Sequence, residues 1–250
     1  MGHWYDKVTG EPVYEVPRAK GNGTRPTTLA DAKKLNLAGS VTSVLGLLDK
    51  PNLVRYKINQ AIDAVIARPL DILDDQKEWR KVIFKLSEAK GKQAANIGDQ
   101  IHNALENYYK EGVLSGEFSV ICHKAIELID CTFGFLEWTP EAHFAHPLGF
   151  GGKCDLHFSG NDEYPNGIII DFKTKQTDNF SNVKAYPEHC MQLAAYREGL
   201  KLPRAECYNL FIGANRPNEL LLHKWNEVEC TKSYTMFCHL LNYWKLRNNI

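Results

Sequence analysis

Asp171 and Lys173 stand two residues apart at the end of a run of three isoleucines, and Asp155 lies sixteen positions upstream in Gly152-Lys-Cys-Asp155. Two carboxylates and an ammonium group brought together suit metal-assisted phosphodiester hydrolysis. Carboxylate oxygens are hard ligands for Mg²⁺ or Mn²⁺, and Mg²⁺ takes one or two of them while keeping waters. A metal so held activates a water and offsets charge in the transition state. Lys173 can orient or deprotonate that water, or stabilise the developing charge. On Asp171 and Lys173 alone, a surface strand bearing a solvated Asp–Lys pair is an equal reading.

The elements that must position these residues are legible as strands. Residues 141–147, 152–158 and 167–175 read as three consecutive β segments separated by turn-rich pieces. Side chains alternate along a strand, so Ile168, Ile170 and Phe172 share one face, and Ile169, Asp171, Lys173 and Lys175 the other. Likewise Cys154, Leu156 and Phe158 are expected to point one way, and Lys153, Asp155 and His157 the other. The apolar faces supply a core and the polar faces converge in one cleft. Downstream, Pro187 opens a helix through Leu200 on which Gln192 and Tyr196, four apart, share a face. Residues 205–213 and 220–225 read as two further strands, and 228–246 as a closing helix.

The N-terminal part is helical. Residues 1–28 form a polar arm, with a short hairpin expected around Val8 to Val16. Thr28 can cap a helix over 29–37, Ser40 a short one through Leu48, and Pro51 can open a longer one over 52–67. In that third helix Leu53, Tyr56, Ile62 and Ile66 recur at near-helical spacing. A helical hairpin is expected next, 74–88 and then 92–109, the second arm carrying Ile97, Ile101, Ala104 and Tyr108 inward with His102 at the stripe's edge. A further helix is expected over 119–131. The fold class is α/β, a central mixed sheet flanked by helices with a helical N-terminal region. The domain division is 1–90, arm and helical region, and 91–250, core.

Lys plus Arg and Asp plus Glu are balanced at 30 each, so a nucleic-acid surface would have to be a local patch. The most basic segment holds Arg80, Lys81, Lys85, Lys90 and Lys92, which fits either a solvated helix face or phosphate contacts. Seven cysteines, an odd and scattered set, make no disulfide framework and read as reduced thiols. No signal region and no apolar run near the ~18 residues of a membrane helix is present. A soluble, cytoplasmic protein is the expectation.

Five short elements then occur in order: Gly98-Asp-Gln-Ile-His102, Glu141, Gly152-Lys-Cys-Asp155, Asp171-Phe-Lys173 and Gln192 to Tyr196. Each is weak alone; together, over about a hundred residues, they are fairly specific. In this the chain resembles the PD-(D/E)XK nuclease superfamily, nearest its RecB-like exonucleases of bacteriophage type, a group that includes the mitochondrial genome-maintenance exonuclease. The resemblance implies a restriction-endonuclease-like core and a Mg²⁺- or Mn²⁺-dependent deoxyribonuclease with one or two ions. Asp155, Asp171 and Glu141 would serve with Lys173 in catalysis. His102, Glu141, Asp155, Asp171 and Phe172 would form the metal shell, and Gln192, Tyr196 and Lys175 would meet substrate. Glu137 is a rival to Glu141, which the spacing favours; His143 and His146 are left structural. The implied partner is DNA with free ends, with no membrane, and a phage recombination or replication protein as a possible second partner. If the protein is viral, its place is the host cytoplasm. An iron–sulfur cluster is not expected, because no cysteine precedes Cys122 and no Cys-x-x-Cys occurs. An endonuclease on the same fold and a non-catalytic nucleic-acid-binding or recombination partner are the alternatives.

Overall fold

The computed structural model describes residues 3–71, 74–177 and 179–250. In chain order the elements are β1 (Trp4–Tyr5), β2 (Glu15–Pro17), β3 (Thr24–Pro26), α1 (Leu29–Leu35), β4 (Ala38–Ser40), α2 (Val41–Leu45), α3 (Pro51–Ala67), α4 (Gln76–Glu111) and α5 (Ser119–Phe133). The core strands and helices follow: β5 (Thr139–His146), β6 (Phe150–Phe158), β7 (Ile168–Lys175), α6 (Pro187–Gly199), β8 (Glu206–Gly213), β9 (Leu220–Trp225) and α7 (Glu227–Asn248). β2 and β3 make a separate hairpin, and the other strands form one seven-stranded mixed sheet. β5 pairs along one edge of β6; β4 and β7 share the other edge, and β8 and β9 continue beyond β7. The fold is α/β, with helices on both faces of the sheet.

Two apolar layers hold it together. On one face, α2, α6 and α7 bury Val44, Leu193, Phe237 and Trp244 against Phe150 and Ile169. On the other, α4 and α5 bury Ile101, Leu105, Ile126 and Ile129 against Leu156, Ile168, Ile170 and Leu210. The helix starts follow their capping chemistry: Thr28 and Asp31 form a capping box on α1, Ser40 accepts the Ser43 N–H on α2, and Asn226 and Glu229 cap α7. Among the described residues, no helix is long and apolar enough to cross a membrane.

Several expectations are corrected. The hairpin expected over 74–88 and 92–109 is one continuous helix, α4, of 36 residues. An interior glycine such as Gly91 costs a helix only about 1 kcal/mol, and the Glu88–Lys92 pair at 2.7 Å spans it. The hairpin that does form is α3 packed against the first half of α4. The division at residue 90 therefore falls inside a helix, and β1 and β4, from the N-terminal part, belong to the same sheet as β6. The N-terminal hairpin is β2–β3, turned by Gly21 and Gly23 at φ +82° and +105°. The stretch around Val8 is instead a turn, in which the Asp6 carboxylate accepts the Val8 and Thr9 N–H groups, closed by a Tyr5–Pro12 bridge. In α3 the apolar stripe faces outward: Leu53, Tyr56, Ile62 and Ile66 are all exposed.

The alternation along β6 also breaks. Cys154 packs with Ile169 and Tyr196 in the α6 layer, whereas Leu156 and Phe158 pack in the α5 layer. Residues of the same parity thus lie on opposite faces. The inversion falls where Glu141 and Asp155 would meet: β5 pairs β6 on either side, at Pro140–Leu156 and Ala142–Cys154. Glu141 there takes φ +55°, a left-handed conformation costing a non-glycine residue roughly 1–2 kcal/mol. The pleat is turned over at the two acidic residues themselves.

Gly91 and Gly98, on the same helix, have different surroundings. A Cβ at Gly91 would meet nothing within 4 Å, but at Gly98 it would lie 2.8 Å from the Thr174 Oγ1. Gly91→Ala is expected to raise stability by about 0.5–1 kcal/mol. Gly98→Ala is expected to gain less or lose stability, because the Thr174 hydroxyl would have to rotate away from its place against α4. Urea unfolding of both variants checks this; equal effects at the two positions would refute the close approach at Gly98.

Candidate active site

β6 and β7 pair only from Phe158–Ile168 to Leu156–Ile170, and then diverge. Asp155 and Asp171 are the next residue on each strand, so both stand at the fork. Asp155 replaces the missing ladder bond with its side chain: Oδ2 accepts the Phe172 N–H at 2.7 Å. Farther along the same edge of β6, β4 pairs at Phe150 and Gly151. The gap between β4 and β7 is the cleft. Its larger part, about 610 Å³, opens on the α4 side beside Gly98, His102, Glu141 and Lys153. A second part, about 380 Å³, lies against Tyr5, Ser40, Thr42, Gln192 and Tyr196. Asp155, Lys173 and His102 line both.

Asp171, buried, is held from three sides. Lys173 Nζ lies 2.6 Å from its Oδ2, Asn209 Nδ2 donates to the same oxygen at 2.8 Å, and Gln192 Nε2 donates to Oδ1 at 2.8 Å. Gln192 also donates to the Tyr196 hydroxyl at 2.8 Å and accepts from Lys173 Nζ at 3.1 Å. Trp225 Nε1 donates to Asn209 Oδ1 at 2.8 Å, so the chain of bonds reaches β9. His102, on α4, approaches from the other face, its Nδ1 3.6 Å from Asp155 Oδ1 and its ring edge-on to Phe172.

The electrostatics follow from burial and these charges. Burial raises the Asp171 pKa and Asp155 adds to that, outweighing Lys173. Burial pushes Asp155 the same way, but His102 and Lys173 prevail and its pKa is lowered. For Lys173, burial favours the neutral amine, yet the Asp171 and Asp155 charges outweigh it and raise its pKa, so it is an ammonium ion. His102 behaves alike: burial lowers its pKa, Asp155 more than reverses this, and the result is raised.

The fork thus gathers His102, Asp155, Asp171, Lys173, Gln192 and Tyr196. Glu141 lines the same cleft but is paired with Lys153. The Phe172 ring lies in the α5-side core, and its backbone N–H faces the site. Lys175 turns away, its Nζ 5.8 Å from the Phe211 ring centroid. Asn209 and Lys153 were not singled out from sequence. The signal for Asn209 was available: a lone amide within Cys-Tyr-Asn-Leu-Phe-Ile-Gly, the buried and mostly apolar part of its strand, where an unpaired amide would be costly.

No protein-family model matches the chain, and no curated protein sequence does. Among solved structures it is similar to one described as the crystal structure of SSO0001, at TM-score 0.32 and 12% identity, covering 75% of this chain and 86% of that one.

His189, one turn along α6 from the fork, gives a pH prediction. Its Nδ1 accepts the Tyr186 N–H at 3.2 Å. Burial, then the Lys173 and Lys175 charges, bring its pKa down to about 3. Below the ordinary histidine value near 6.5 the unfolded chain binds a proton that the folded chain refuses, so stability falls as pH drops from about 6.5 toward 3. His189→Asn keeps an acceptor without the titration and is expected to flatten this acid limb. Thermal unfolding across that range checks it; identical slopes would refute it.

Proposed function

We propose that this chain is a metal-dependent DNA exonuclease that hydrolyses phosphodiester bonds at the fork between β6 and β7. The observation that carries the reading is the meeting of Asp155 and Asp171, from separate strands, with Lys173 against Asp171 in a cleft open to solvent. The strand–strand–strand–helix–strand run from β5 to β8 agrees with the restriction-endonuclease-like core that the motif order implies.

The donor set fits a hard divalent cation. Asp155 keeps Oδ1 facing His102 and the cleft, and burial, with repulsion from Asp155 adding to it, raises the Asp171 pKa, a penalty on the carboxylate that a held cation would relieve. Asp155 and Asp171, with Glu141 and His102, would hold Mg²⁺ or Mn²⁺; the imidazole favours Mn²⁺. When bound, the ion supplies water activation and neutralises charge on the phosphate.

The rest is done by the chain's own groups. Lys173, fixed by Asp171 and Gln192, orients or deprotonates the water, or stabilises negative charge on phosphate oxygens. Gln192 holds Asp171 and Lys173 in one relation, and Tyr196 anchors Gln192. Glu141 becomes available when Lys153 moves to a phosphate. Attack on terminal bonds of free-ended DNA in the cytoplasm, that of a host cell if the protein is viral, and work beside a recombination or replication protein complete the proposal.

The test is digestion of end-labelled linear single- and double-stranded DNA beside a covalently closed circle, with Mg²⁺, Mn²⁺ or EDTA. Loss of linear DNA alone, dependent on metal, is expected. Cutting of the circle would replace the exonuclease by an endonuclease. Strand binding without cleavage in either metal would replace it by a binding protein.

A further inference from the structure

The outward apolar face of α3 is one wall of a groove of about 550 Å³ between α3 and the first half of α4. Tyr56 from α3 and Phe84 from α4 line it at 42% and 70% exposure, a large solvent-facing aromatic area for two side chains. Lys57 and Lys92 stand among them, with Glu88 paired to Lys92. Gly91 and Ala95 also line the groove, and Ala95 lines the catalytic cleft as well. The two spaces thus adjoin at Ala95 on α4. From Phe84 to His102 the helix rises about 27 Å.

We infer that this groove is a binding shelf for a single strand of nucleic acid, with bases stacked on Tyr56 and Phe84 and phosphates met by Lys57 and Lys92, leading the strand to the fork at Asp155 and Asp171. The inference rests on the nuclease reading of the fork and specifies the substrate form. Three observations select the occupant. Charge is the first: residues 50–95 carry ten Lys and Arg against six Asp and Glu in a chain with no net charge, so the hairpin attracts a polyanion and repels a second copy of itself. Chemistry is the second, since exposed aromatic rings interleaved with lysines are how single strands are bound without sequence preference, whereas a duplex hides its base faces. Size is the third: the groove holds about 550 Å³, room for the bases of a single strand but not for a duplex. Gly91 agrees with this, because no protein atom lies where its Cβ would be, and a backbone or base can approach the helix there.

The test measures binding, independent of cleavage. Fluorescence anisotropy of a labelled oligothymidylate is followed in EDTA, with the matching duplex in parallel. Tyr56→Ala and Phe84→Ala are each expected to weaken strand binding about tenfold, and Tyr56→Trp to restore it. Lys57→Ala with Lys92→Ala is expected to lower the slope of log affinity against log salt by about 0.7 for each phosphate left without its lysine. Duplex affinity should change little in either set. Unchanged strand affinity in the aromatic variants overturns the shelf. So does sedimentation in which they release an oligomer with strand affinity intact, which would make the groove a contact between copies. If the wild type cleaves nothing yet loses strand binding with Tyr56 and Phe84, the shelf stands and the nuclease reading alone fails.

Discussion

Lys173→Ala is expected to reduce cleavage by at least about 10²-fold, as removal of a preorganised charge-stabilising donor does, and to make the fold depend on divalent cation. In the wild type the ammonium lies 2.6 Å from Asp171 and offsets two carboxylates at the fork. Without it Asp171, buried among Gln192 and Asn209 donors, keeps its desolvation penalty and loses its counter-charge. Breaking such a pair costs about 3 kcal/mol, less to the extent that Asp171 takes up a proton. A cation held by the same carboxylates replaces the missing charge, and binding to the folded state alone stabilises by mass action. Mn²⁺ should therefore raise the melting temperature of Lys173→Ala by more than that of the wild type, while groove binding of single strands in EDTA is retained. No rise with Mn²⁺ in either protein would mean that the carboxylates do not form a cation site, whatever the activity.

The parts of this arrangement that could be read from sequence are those whose signals are local. Pro51 and Pro187 open helices, Thr28 and Ser40 cap them, and the isoleucine run before Asp171 alternates between the two layers as a central strand must. What could not be read depends on partners far away in the chain. Ala38–Ser40 becomes a strand because β6 offers it an edge; three small residues carry no β signal of their own. The turning-over of the pleat at Glu141 and Asp155 requires a left-handed glutamate, which no propensity favours, and it moves Cys154 away from the face that alternation assigns it. α4 is unbroken because its second half is clamped between α5 and the sheet, so Gly91 has no terminus to mark. The stripe on α3 has helical spacing, and helix it is; periodicity does not say that the apolar face will meet solvent. Site residues carried by motif order were legible, whereas Asn209, which belongs to no motif, emerges only once β7 and β8 are paired in register at Asp171–Asn209.

Asn209 carries the other large expected effect. It is fully buried, donates to Asp171 Oδ2 and accepts from Trp225 Nε1, both at 2.8 Å. Asn209→Ala leaves a buried indole N–H without an acceptor and takes a donor from a buried carboxylate; each loss costs about 1–3 kcal/mol, so a total near 3–4 kcal/mol is expected. Trp225→Phe removes only the indole donor and should cost less. Since one side chain serves both partners, the losses are not independent: in Asn209→Ala with Trp225→Phe no indole N–H remains to be orphaned. The double variant should be more stable than the sum of the single effects implies, by roughly 1–2 kcal/mol in a double-mutant cycle. The functional consequence separates positioning from packing. Asn209→Asp retains the volume and an acceptor for Trp225 but sets a further negative charge against Asp171, which raises the Asp171 pKa further and should move to higher pH the limb of the cleavage profile that ionisation of Asp171 sets. Trp225→Phe, by contrast, should leave that pH profile where it is. Strict additivity in the cycle, with the same pH profile in Asn209→Asp as in the wild type, would reduce Asn209 to an ordinary buried amide and leave Asp171 oriented by Gln192 and Lys173 alone.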